Sequence, residues 1–368
     1  MNSNIYIHNP VLSKFGRLEE TVLSLAYKTA SEALQGFDRD RIDFLVFASF
    51  APESYTSEFH LAAKLASSLR LDHIFAIRAE TASSSGASAF QLAVSLIDSG
   101  RFKTGLVVGA EIMSRLGREE SNMVLGSVLS DRQKQLCMFM SHGGAMITRR
   151  YLYEYGYEEG DLYYIAKKVH DNGLKNKNAH IQKEINLEIY NKAPKICTPL
   201  GLYDISPLSD GAAALVLSSE LKSNIRIKGM GHGTSTFYDD SLGTSFPASV
   251  KAFSRAFEEA GISPSEIQVA ELHDAFTTFE VIGAEDAGIF KRGEALRQVK
   301  EGNTHPAAKW PINPSGGLKS RGHPIAASGI AQLVELSNFM QQQGKALGLT
   351  HSIGGLATNN FANILEQV

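Results

Sequence analysis

The run Ile42-Asp-Phe-Leu-Val-Phe-Ala-Ser-Phe50 constrains this chain more than any other feature. It is almost unbrokenly apolar and of strand length. Such a run marks a strand buried on both faces, which needs helices above and below it. Thr104-Gly-Leu-Val-Val-Gly109 repeats the pattern. Helix-length segments separate these runs: 18–34, closed by Gly36; about 57–69; and the small-residue peptide from Ala79 to Phe90, which leads into a helix ending near Gly100. Short strands are expected at 5–7 and 73–77. Strands alternating with helices predict an α/β chain with a largely parallel sheet.

From about 116 to 205 the character changes. The segment is richer in Lys, Asn, Glu and Tyr, with weak strand patterning and some helical pieces such as 183–190. An excursion of this length from an α/β core reads as an inserted covering or lid region. The core resumes at 206–218, a turn and an apolar strand. A second round follows: strand 225–230, helix 250–260, strand 268–272, a helix opened by His273-Asp-Ala-Phe-Thr277 and running to Gly288, and paired strands at 345–350 and 358–365. The expected division is 1–115 plus 206–222 as one half, 116–205 as the insertion, and 223–368 as the other half.

Composition excludes several classes. A net charge of −3 on 368 residues leaves no basic footprint for nucleic acid. Cys137 and Cys197 make neither a disulfide framework nor a metal cluster. No apolar run is long enough to span a membrane, and no leader pattern opens the sequence, so a cytoplasmic location is expected. The glycine-rich pieces match neither a dinucleotide fingerprint nor a P-loop.

The richest stretch is Asn313-Pro-Ser-Gly-Gly-Leu-Lys-Ser-Arg-Gly-His-Pro-Ile-Ala-Ala-Ser-Gly329. His323 precedes a proline suited to a helix start, and the helix beyond it is small and apolar until Gly344 closes it. Ser83-Ser-Ser-Gly-Ala-Ser-Ala, helix, glycine, strand answers this arrangement in the first half. Two similar halves with two small-residue helix starts predict a site where they meet.

These motifs, with Glu80-Thr-Ala-Ser-Ser-Ser-Gly86, Val108-Gly-Ala-Glu-Ile-Met-Ser114, Glu271-Leu-His-Asp-Ala-Phe-Thr277 and Gly348-Leu-Thr-His-Ser-Ile-Gly-Gly355, resemble the thiolase superfamily. The likeness is nearest to the archaeal and sterol-carrier-protein-type thiolases. It implies two βαβαβαββ halves in a layered α-β-α-β-α core with an inserted lid. It also implies a thiolase-like acyltransferase acting on acyl-CoA or carrier-bound thioesters and making or breaking a carbon–carbon bond, Claisen fashion. A homodimer, no cofactor beyond the CoA substrate, and in some relatives a small OB-fold and zinc-ribbon partner belong to the same expectation.

Carried over residue by residue, the resemblance makes Ser83 the nucleophile position and His323 its activating base. His273 joins His323 in binding an enolate oxygen, Ser352 stands where a second cysteine is usual, and the amides of Ser83, Gly354 and Gly355 serve an oxyanion. Ala275, Phe276, Ser315 and His142 are candidate substrate contacts, and Asp274 is a structural cap or orienting group. The chain departs from the family where a cysteine is expected and Ser83 stands. A hydroxyl is far less acidic than a thiol. Three accounts stay open: a Cys-to-Ser trapped acyltransferase, a Cys-independent aldolase or serine acyltransferase, and a catalytically silent subunit of a complex. His351 reads as structural. His170 and His180, and the lysines 167, 168, 175 and 177, read as solvated surface, the lysines within reach of CoA phosphates at most.

Overall fold

The structure is a computed structural model that describes residues 4–235 and 243–368. Its strands, in chain order, are β1 (Tyr6–Leu12), β2 (Phe44–Ala48), β3 (Phe75–Ala79), β4 (Thr104–Glu111), a small hairpin β5 (Lys195–Cys197) and β6 (Leu200–Gly201), β7 (Gly211–Ser218), β8 (Ile225–Thr234), β9 (Val269–Glu271), β10 (Leu347–Gly354) and β11 (Asn359–Gln367). All but the hairpin join one nine-stranded sheet in the order β3-β2-β4-β7-β1-β8-β11-β10-β9.

That order is nearly a palindrome. β4 runs parallel to β2 and antiparallel to β7, while β10 runs parallel to β9 and antiparallel to β11. β1 and β8 close the two series and meet edge to edge at the pair Tyr6–Arg226. The two series of strands are therefore related by a pseudo-two-fold axis at this seam. One difference stands out. Where the first half has β3, the second has, among the described residues, only a bridge between Ala270 and Ile312. Pro311 follows Trp310 there, and a proline lacks the donor a longer ladder would need.

β2, β4 and β7 are buried along their whole length, as the apolar runs require. Helices Val22–Ala33 and Leu61–Ser68 cover one face of these strands through Leu25, Ala30, Leu61 and Leu65. Helix Pro247–Ala260 covers β8. There the alternate glycines Gly229, Gly231 and Gly233 admit its backbone, since a Cβ at Gly231 would lie 2.0 Å from the Ala252 carbonyl. Between the outer layers run the helices Ser85–Asp98 and Ile325–Gln343, which touch each other and strands of the sheet. The result is the layered α-β-α-β-α arrangement.

The inserted segment is more helical than its sequence suggests, with helices Arg118–Gly126, Met140–Tyr155 and Leu162–Gly173. The piece expected at 183–190 is instead a shorter helix, Leu187–Lys192, capped by the Asn186 side chain on the Ile189 amide. Two surface assignments also change. His170 is buried, its Nδ1 3.2 Å from the Lys183 carbonyl and its ring edge-on to Tyr203. Lys168 is buried as well, ion-paired with Glu280. Both lie on the core-facing stripe of the helix Leu162–Gly173, and the polar letters around them masked that stripe. His180 is half-buried, with Nδ1 2.8 Å from the Ser209 hydroxyl.

Candidate active site

The two central helices start beside each other because neither carries side chains where they cross. A Cβ on Gly86 would lie 2.6 Å from the Ala326 carbonyl oxygen, and one on Gly329 would lie 2.4 Å from the Ala87 amide nitrogen. Ser83 and His323 each lie just ahead of one of these starts. Ala82, the residue before Ser83, has φ of +53°, a left-handed conformation costly for a residue with a Cβ. The surrounding apolar cluster holds it there: Ala82 packs against the buried group of Phe50, Tyr55, Met113 and Ile325. Gly354, at the end of β10, meets the same loop, and a Cβ on it would stand 2.5 Å from both the Ser84 hydroxyl and the Thr81 carbonyl.

His323 is fixed from two sides. Its amide donates to the Ser209 hydroxyl at 3.1 Å, and its Nδ1 lies 2.7 Å from the Ser328 hydroxyl. Ser328 spends its own proton on the Pro324 carbonyl at 2.9 Å. The imidazole therefore carries its hydrogen on Nδ1, and Nε2 presents a lone pair. Ser328 and Ser209 are positioning residues the sequence reading missed; the placement of Ser328 in the first turn beyond the histidine is the one signal that could have revealed it. His273 stands with its ring edge-to-face against His323 at 5.3 Å between centroids. Its Nδ1 is buried without a partner.

Both rings are neutral. Burial first, and then the Arg321 guanidinium, pushes His323 down to about 3. Burial, with the charges of His323, His351 and Arg321, holds His273 well below the ordinary imidazole range. His351 is likewise depressed to about 3 by burial alone, its Nε2 2.9 Å from the Ser249 hydroxyl, a structural role.

The remaining candidates divide by what their polar groups touch. Ser352 is buried and donates to Gln332 Oε1 at 2.6 Å. Ser315 donates to Glu271 Oε2 at 2.7 Å, so its hydroxyl serves the loop. The Gly354 amide donates to Asn360 Oδ1 across a long 3.3 Å bond, and Gly355 follows it in a turn with φ of +60°. Ala275 gives its carbonyl to the Ser206 amide at 2.9 Å. Phe276 packs edge-on to Phe279 and beneath Gly144, where a Cβ would meet its ring at 2.7 Å. His142 accepts the Phe139 amide on Nδ1 at 2.9 Å, capping the helix Met140–Tyr155. Ser83 is half-buried. Asp274 accepts the Leu318 amide at 2.6 Å, an orienting role. Cys137 and Cys197 are free, and the described residues contain no His/Cys/carboxylate group fit to hold a metal.

A buried histidine pair, with a hydroxyl just ahead of one central helix and a glycine loop against the same turn, offers the group types that acyl transfer or enolate formation uses. Residues 10–199 match the description "Thiolase, N-terminal domain", and residues 229–367 match "Thiolase C-terminal domain-like". The chain belongs to the thiolase family. It is 30% identical to an acetyl-CoA acetyltransferase of Methanocaldococcus jannaschii over 96% of this chain and 97% of that one. Its identity to the acetyl-CoA acetyltransferase of Methanothermobacter thermautotrophicus is 29%, over 90% of each chain. Among solved structures, the Ltp2-ChsH2(DUF35) aldolase superposes with a TM-score of 0.83 at 23% identity, covering 99% of this chain and 98% of that one, a likeness of fold. No helix among the described residues is long and apolar enough to cross a membrane.

Proposed function

We propose that this protein is a thiolase-like acyltransferase of acyl-CoA or carrier-bound acyl thioesters, and that it makes or breaks a carbon–carbon bond beside the thioester carbonyl through an enolate held between His273 and His323. The observation that carries the reading is the pair itself: two buried imidazoles, edge-to-face at 5.3 Å, both held below the ordinary imidazole range by burial. An N–H of His273 in a water-poor pocket stabilises a developing oxyanion by donating a hydrogen bond, and His323 does the same once its Nε2 has taken up a proton. His323, with Nε2 free of hydrogen, takes the proton of the nucleophile or of the substrate α-carbon and then donates it to the oxygen. The helix Ser85–Asp98 directs its amide dipole at the Ser83 position.

Ser83 favours a second reading as well. An oxyester on serine is a poor acyl donor, so a reaction that never acylates the protein suits this site. In an aldol cleavage His323 takes the β-hydroxyl proton, the Cα–Cβ bond breaks so that an aldehyde or ketone departs, and the thioester enolate left between the two histidines takes that proton back at its α-carbon. Intact-mass measurement after incubation with a panel of acyl-CoAs separates the two, with the Ser83→Cys variant alongside. Acyl transfer predicts an adduct and CoA release that strengthen in Ser83→Cys. An aldolase predicts carbonyl release from β-hydroxyacyl-CoA by the Ser83 protein with no adduct. Neither product from either protein would refute both readings.

The finer assignments belong to the same proposal. The chain divides at 116 and 206 and between 222 and 223, works in the cytoplasm, needs no cofactor besides its CoA substrate, and pairs as a homodimer. The outer edge of β3, with Phe75 42% exposed, supports that pairing. A small OB-fold and zinc-ribbon partner is supported by the composition of the superposed aldolase, whose name couples two proteins.

A further inference from the structure

Behind the histidines lies a buried charge cluster that the chemistry above leaves unused. Lys168, from the inserted helix Leu162–Gly173, pairs with Glu280, and its ammonium also donates to the Ile312 carbonyl at 3.0 Å. The other Glu280 oxygen accepts from Asn313 Nδ2 at 2.8 Å, and Asn313 Oδ1 accepts the amide of Leu272 at 2.7 Å. Leu272 is the residue before His273. A cation of the insertion is thus tied through a carboxylate and an amide side chain to the backbone that carries a reacting imidazole. Asn172, from the same inserted helix, adds a second tie by donating to the Asn313 carbonyl at 2.9 Å.

On the other side of His273 sits Asp274. One of its oxygens holds the Leu318 amide, and the other is buried without a partner. Gly317 is drawn against that carboxylate so closely that a Cβ would lie 2.2 Å from Oδ2. Lys319 follows in the π-helical turn Gly317–Arg321, which leads to His323, and the charges of Asp204, Asp274 and Glu280 act on it. Two buried ammoniums and the Arg321 guanidinium thus face the carboxyls of Asp204, Asp274 and Glu280, and Arg321 also meets buried Glu271 at 3.8 Å, so the four carboxyls cannot all be charged without leaving one negative charge uncompensated.

Resting on the reading of His273 and His323 as the reacting pair, we propose that Lys168, Glu280, Asp274 and Lys319 form a positioning cluster that locks the inserted segment onto both histidine loops and, through its proton count, sets the pH range in which the site is competent. Burial and the neighbouring Glu280 raise Asp274, and burial lowers Lys319, so both groups are drawn toward neutrality from opposite sides. The other charged or titratable groups facing these residues are Arg321 toward Asp274, Lys195 and Tyr190 toward Asp204, His170 toward Lys319, and His305 toward Lys168 and Glu280.

The test is a pair of opposite charge deletions in the full chain. Lys168→Met removes a positive charge and should move the neutral-range limb of the kcat profile to higher pH. Glu280→Gln removes a negative one and should move it lower, each by about one pH unit or more with KM nearly constant. Asp274→Asn, which keeps the Leu318 bond, should flatten that limb. The thermal midpoint against pH reads the same displacement without turnover. Opposite displacements in that curve support the cluster even if no thioester is turned over, in which case only the functional reading fails. Limbs and inflections that stay put, or move the same way in both variants, overturn the cluster whatever the activity.

Discussion

Gly86→Ala probes the contact on which the site depends. The added Cβ would stand 2.6 Å from the Ala326 carbonyl, 2.9 Å from the Ile330 amide nitrogen and 3.0 Å from that of Gly329. All three are backbone atoms of the facing helix, so no side chain can swing aside. Restoring an ordinary contact of 3.4 Å requires the helices to part by about 0.8 Å. Overpacking of this kind costs about 1–3 kcal/mol. Alanine returns about 1 kcal/mol of helix propensity over glycine, so the net loss of stability is no more than about 2 kcal/mol. Activity is the sharper readout. The displacement separates the helix starts that carry Ser83 and His323, and a misplacement near 1 Å costs about 10²-fold in rate. We expect a drop of a few degrees in melting temperature and a fall of up to about 10²-fold in turnover, measured as CoA release by a thiol reagent. Gly126→Ala, at a helical position with nothing within 4 Å, is the control and should leave turnover unchanged and the melting temperature no lower. Full turnover in Gly86→Ala would refute the claim that this approach sets the geometry.

Three further outcomes follow from the same geometry. His323→Ala should abolish turnover while far-UV circular dichroism stays unchanged, and normal turnover would remove the residue from the mechanism. His273→Ala should lower carbon–carbon bond formation or cleavage by about 10²–10³-fold, yet in the Ser83→Cys background it should spare acylation; equal loss in the two half-reactions would count against the enolate role. His351→Gln concerns stability against pH. The folded imidazole sits near 3, so the unfolded chain alone takes up a proton as pH falls below the usual 6.5, and wild-type stability declines on that side. Urea melts at pH 7 and pH 5 should show the variant losing about 2 kcal/mol less than wild type over that interval, and identical losses would sink the claim.

The core strands were legible because burial on both faces leaves an unmistakable run, as at Phe44–Ala48 and Gly211–Ser218. The site loops were legible because glycine, proline and histidine have few alternative uses in such density. The helix Leu162–Gly173 was not, because its core-facing stripe includes Lys168 and His170 among polar neighbours. Their burial depends on partners such as Glu280 and Tyr203, remote in sequence. No local pattern announces a charge that a distant carboxylate will neutralise. Ser315 and Ser352 were read as site residues, but which way a hydroxyl turns is settled by Glu271 and Gln332.

The place of β1 bears on how the chain can fold as it is made. This strand comes from the first residues described, yet it lies between β7 and β8. β4 likewise waits for β7, which emerges only after the whole inserted segment. The first half therefore cannot complete its sheet as a nascent unit, and its strands must hold unpaired edges until residue 218 has left the ribosome. Long-range closure of this sort is slow and exposes sticky edges. Shortening the insertion, even where it touches nothing in the site, should thus raise soluble yield by hastening the arrival of β7.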